Sequence, residues 1–155
     1  MKIQAWFILS LVLIASVLFP TISFAQIQLD EKVVQAVQQS KVPVLAEYMN
    51  KGGDINLTTK SGNSVLMLAS KIGDKQVIDY VLAQYPDLNA QNKAGATALM
   101  IAAKYGQLHI IENLLEMGAN PKIKNNNGFS AANFAFAFDH QKIYRKLVEA
   151  ERKFS

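Results

Sequence analysis

Residues 92–120 read NKAGATALMIAAKYGQLHIIENLLEMGAN. Gly95 closes a polar turn, and Thr97 stands where a helix N-cap accepts a backbone N–H. The apolar run that follows ends at Gly106, where a left-handed residue past a helix end costs glycine little. Ile110, Ile111, Leu114 and Leu115 then fall at i, i+1, i+4 and i+5, one face of a second helix that closes at Gly118. Two helices this short cannot bury their apolar faces alone, so they must stack on neighbours of the same kind.

Those neighbours stand on either side at a period of 33. Gly62, Gly95 and Gly128 share one column, and Ser64, Thr97 and Ser130 the next. Leu66, Leu99 and Ala132 align, as do Ala69, Ala102 and Ala135. In the second helix Val77, Ile110 and Ile143 align, then Ile78, Ile111 and Tyr144, and finally Val81, Leu114 and Leu147. A weaker copy precedes them at Ala36, Val44, Leu45, Tyr48 and Met49, followed by Gly52-Gly53-Asp54. The expected fold is all-α: a solenoid of about four helix-turn-helix repeats with short hairpin or turn connections, at about 30–61, 62–94, 95–127 and 128–155.

The unit resembles the ankyrin repeat. Gly95, Thr97, Leu99, Ala102-Ala103, Gly106, Leu114-Leu115 and Gly118-Ala119-Asn120 match that family's pattern best, and Gly62, Ser64, Leu66, Ala69, Gly73, Asp87 and Asn89 match it in the preceding unit. The departures are specific. The proline of the family's T-P-L-H start is replaced by Val65, Ala98 and Ala131, and its histidine by Met67, Met100 and Asn133. In the family that histidine ties neighbouring repeats by hydrogen bonds, so apolar packing is expected to substitute here. Tyr85-Pro86 replaces Gly-Ala, and Asp139 stands where Gly73 and Gly106 do. The charged last helix, with Lys142, Arg145, Lys146 and Arg152, reads as one solvated cap, and Glu31, Lys32 and Gln35 as part of the opposite one.

Residues 1–25 carry Lys2, a 15-residue apolar run from Ala5 to Phe19, Pro20, and a small-residue end at Ser23-Phe24-Ala25. This describes a secretory signal peptide cleaved after Ala25. A membrane span needs about 20 apolar residues, so no stable anchor is expected to remain after cleavage. Residues 26–155 would then be the repeat domain, with 15 Lys and Arg against 12 Asp and Glu. That mild excess, together with export, argues against nucleic acid as a partner. The chain has no cysteine, which excludes thiol chemistry and leaves stability to packing. The expected setting is periplasmic, with secretion as the alternative, and the expected state is monomeric.

The inventory for chemistry is thin. His109 and His140 are the two histidines, too few for a metal site without further donors at suitable spacing. His140 reads as structural and His109 as exposed. No nucleophile stands with a base and an orienting group, and no phosphate-binding loop or H-E-x-x-H is present. No catalytic residue, metal or cofactor is expected. Asn56-Leu57-Thr58 is a glycosylation sequon, of consequence only in a eukaryotic host.

The resemblance implies binding through the turn tips and the exposed parts of the first helices. Carried over by column, the candidate contact residues are Lys60, Lys93 and Asn126 at the tips, Phe129 just after, and Lys71, Ile72, Lys104, Tyr105 and Phe138 at the ends of the first helices. Lysines beside an apolar or aromatic row suit a protein partner with an acidic, partly apolar surface. The expected function is an exported, non-enzymatic protein-binding module. Small exported bacterial ankyrin proteins are sometimes associated with periplasmic enzymes such as catalase, and the resemblance permits an accessory or protective role of that kind. A secreted effector or toxin-neutralising protein would use the same surface. A small-molecule site or enzyme would need a pocket near Met67, Met100, Asn133 and Tyr105.

Overall fold

The computed structural model describes residues 24–154; the leader-like segment, apart from its last two residues, lies outside them. Among the described residues every regular element is a helix. They are α1 (Phe24–Gln38), α2 (Val42–Asn50), α3 (Val65–Ile72), α4 (Lys75–Leu82), α5 (Ala98–Lys104), α6 (Leu108–Glu116), α7 (Ala131–Ala137) and α8 (Gln141–Lys153). None of these is long and apolar enough to cross a membrane.

The helices pair in antiparallel fashion and stack in two rows. The first helices α1, α3, α5 and α7 pack more extensively on one another than the second helices do. Side-chain size accounts for this. Ala69, Ala102, Ala103 and Ala135 line the first-helix row fully buried, so backbones approach closely there. Leu66, Leu99, Ile78, Ile110, Ile111, Leu114 and Leu147 fill the core behind them, each no more than 1% exposed.

Local chemistry sets the helix ends. The Ser64 and Thr97 hydroxyls accept from Met67 and Met100 N–H, both at 3.3 Å, as the N-cap reading requires. Ser130 and Asn133 form a capping box, in which the Asn133 side-chain oxygen accepts from Ser130 N–H at 2.8 Å. Asp74 caps α4. The Val77 N–H, joined by the Ser40 hydroxyl, holds its carboxyl below the usual range. That contribution is complete above the ordinary carboxylate pKa and is lost as pH falls through the depressed one.

Left-handed backbone recurs at the repeat period. One column holds Ser40, Gly73, Gly106 and Asp139, at φ of 54°, 79°, 72° and 57°. Another holds Gly52, Tyr85 and Gly118, at 81°, 53° and 92°. Tyr85 is the costly member: an aromatic L-residue in the left-handed region, 86% exposed and gaining no packing in return. Tyr85→Gly is expected to stabilise the protein by about 0.5–1 kcal/mol, a rise of about 2–4 °C in Tm. An unchanged or lowered Tm would contradict the strain.

The loops supply hydrogen bonds between repeats. Asp87 N–H donates to the Asn56 side chain and Asn120 N–H to that of Asn89, both at 2.8 Å. Lys93 N–H donates to the Ser61 carbonyl at 3.2 Å and Asn126 N–H to the Ala94 carbonyl at 3.1 Å. The expectation of purely apolar ties is therefore corrected in part. Met67 and Met100 are buried, but side-chain amides and backbone in the loops restore polar ties between units.

Candidate functional site

The ends of the first helices carry a ladder of cations and rings. Lys71 Nζ lies 5.7 Å from the centroid of the Tyr105 ring. Lys104 Nζ lies 5.8 Å from the same ring and 5.4 Å from that of Phe138. The arrangement follows from the period: a lysine in the last turn of one first helix meets the aromatic residue one repeat and one position further on. Lysine in a last turn is also favoured by the helix dipole. Tyr105 and Phe138 stay 44% and 48% exposed, and both lysines are exposed. Exposed cation–π pairs contribute about 0.5–1 kcal/mol each. That is enough to hold the lysine stems over the rings while leaving the ammonium groups open to a carboxylate.

The candidate residues separate into two groups. Lys71, Lys104, Tyr105 and Phe138 gather at the C-terminal ends of α3, α5 and α7. Lys60, Lys93 and Asn126 stand in the turns that precede those helices. A first helix of seven or eight residues puts about 11 Å between the groups. Asn126 is engaged in the fold, since its side-chain N–H donates to the Lys93 carbonyl at 3.0 Å. Phe129 is 51% exposed and meets Phe134 edge to face at 6.5 Å, away from the ladder. Ile72 shares a column with Tyr105 and Phe138 but not their exposure. It is half-buried and packs on the core, so the apolar row of the ladder is aromatic only.

Beneath the ladder, each repeat seats a side chain over the glycine that ends the preceding first helix. A Cβ on Gly73 would collide with Gln107, and one on Gly106 would come within 2.8 Å of His140. His140 Nε2 lies 3.2 Å from the Lys104 carbonyl oxygen. A carbonyl only accepts, so Nε2 carries the proton, and the ring satisfies a backbone group that α5 leaves unpaired at its end. His140 thus fixes the position of the residue whose side chain lies between the two rings. The expectation of an exposed His109 is corrected: the ring is half-buried, and Nε2 is closed to solvent with no hydrogen-bond partner among the described residues. It lies in an inner repeat flanked by α8, where Lys146 reaches across to Glu112 at 2.6 Å and lowers the pKa of that carboxyl.

Of the pocket position named from the sequence, the inner part is closed, because Met67 and Met100 are 1% and 2% exposed, while Tyr105 and Asn133 stay exposed and Asn133 lines a cleft on the last repeat. Clefts open elsewhere. One lies between the ends of α4 and α6, beside Tyr85, Glu116 and Met117. Another lies on the outer side of the last repeat. Among the described residues no group of three or more His, Asp or Glu could hold a metal ion.

The family model described as ankyrin repeats (3 copies) matches residues 33–125 and, again, 86–154. No curated protein matches the chain.

Proposed function

The chain belongs to the ankyrin-repeat family, and from that premise we propose that it binds a protein partner through the ladder of Lys71, Tyr105, Lys104 and Phe138. Ankyrin repeats are protein–protein interaction modules and are generally not enzymes. The observation that carries the reading is the cation–π arrangement, which spans three successive repeats. Two ammonium groups over one tyrosine concentrate positive potential beside half-exposed rings. An acidic segment carrying an apolar side chain is the complementary partner. The leader pattern of residues 1–25 supports a periplasmic setting. An accessory role there toward an enzyme such as catalase is compatible with the family's binding function and rests on no residue of this chain.

The double variant Lys71→Glu/Lys104→Glu tests the surface. Both side chains are exposed, so the fold should persist with an unchanged circular-dichroism melt. Affinity for the partner captured by the wild-type protein is expected to fall at least about tenfold at moderate salt, mainly through a slower association rate. Equal retention of that partner by the variant would remove the ladder as the contact surface.

A further inference from the structure

The outer face of the last repeat differs from the faces that stack inside the solenoid. At inner interfaces the column of Val37, Ser70 and Ala103 holds side chains no larger than valine and is fully buried. The same column in the last repeat is Phe136, 63% exposed and 5.5 Å from the Tyr144 ring. A further repeat stacked in register would meet an aromatic ring where the inner interfaces hold a valine, serine or alanine side chain. A repeat with no neighbour on its outer side ordinarily turns a polar face outward, and among the described residues the last repeat has none there. This one presents Phe136, with Tyr144 and Val148 half-buried beside it.

Beside Tyr144 lies a cleft of about 470 Å³, lined by Ala132, Asn133, Tyr144 and Val148 together with Lys122 and Lys124. The Ser130 hydroxyl donates to Glu151 at 2.8 Å, which ties α8 to the start of α7 and engages the one carboxylate in the cleft. Arg145 and Arg152 flank Val148 at i−3 and i+4, so both border the same side of α8. Among the described residues Lys124, Arg145 and Arg152 belong to none of the ion pairs. Charge is segregated along the chain in the same sense. Residues 122–155 carry seven Lys and Arg against three Asp and Glu, and residues 26–121 carry eight against nine.

We infer that this end face is a second binding surface, for an acidic protein segment that places one apolar or aromatic side chain on Tyr144 and Val148. The cations around the cleft match the carboxylates of such a segment, and Tyr144 and Val148 accept its apolar group. The surface is distinct from the ladder and is tested separately. Protein isolated from cells expressing the full chain and labelled with nitrogen-15 would be titrated with the peptide acetyl-Glu-Asp-Glu-Phe-Asp-Glu-amide. The expected result is saturable shifts at the Ala132, Tyr144 and Val148 amides, with Kd on the order of 0.1–1 mM. Lys124→Glu/Arg145→Glu should weaken binding at least about tenfold, and Lys41→Glu, at the opposite end of the stack, should leave it unchanged. Replacing the peptide phenylalanine by glycine should also weaken it. Shifts centred on Tyr105 and Phe138, equal binding of the glycine peptide, or no shift at millimolar peptide would overturn the inference. So would larger shifts of the same amides with phosphatidylglycerol vesicles or a single-stranded oligonucleotide than with the peptide.

Discussion

Gly95→Ala is expected to destabilise the protein by about 3 kcal/mol, against about 1 kcal/mol for Gly128→Ala. Both glycines occupy the same column and the same left-handed conformation, at φ of 74° and 80°. A Cβ costs similar backbone strain at each. The neighbours differ. At Gly128 a Cβ would meet nothing within 4 Å. At Gly95 it would stand 2.6 Å from Asn126 N and 3.0 Å from the Asn125 Cα, both backbone atoms of the next turn. Relieving the clash would push the two turns apart, away from the bonds of Asn126 to Ala94 and Lys93. Urea midpoints of the two variants make the comparison, and equal losses would mean that the turns are not packed side by side.

Leu114→Ala should cost about 3 kcal/mol, within the range for emptying a buried leucine site. Leu114 is fully buried in the column of Val81 and Leu147. Its neighbour Leu115 is only partly buried, so Leu115→Ala is expected to cost less than half as much. The pair separates burial from helix propensity, because both changes put alanine in the same helix. Because solenoid stability is a sum over adjacent interfaces, a cavity in an inner repeat also uncouples the units on either side. A denaturant transition less steep than the wild-type one should accompany the loss. Indistinguishable costs at 114 and 115 would contradict the assigned face of α6.

The repeat architecture was legible because its signals are local and recur. Hydroxyl caps at 64 and 97 and glycines at 73 and 106 act within a single turn of backbone, so each could be read where it stands. The ladder was half legible. Columns brought Lys71, Lys104, Tyr105 and Phe138 into consideration, but the pairing of each lysine with a ring one repeat and one residue ahead depends on how adjacent helices offset. Ile72 shows the limit of column reasoning. A compact branched side chain at that height folds onto the core, whereas the longer rings of Tyr105 and Phe138 reach past it. Exposure at Phe136 was hidden for a related reason. Its column is buried where a following repeat packs on it, and among the described residues none packs on Phe136.

The proposed partner meets the ladder formed by the first-helix ends. Photo-crosslinking tests it most directly, with p-benzoylphenylalanine placed at position 105 and, separately, at the exposed position 76 on α4. A partner-specific adduct is expected from position 105, lost when Lys71 and Lys104 are both replaced by glutamate, and none from position 76. An adduct that forms from position 76 and not from position 105 would contradict it.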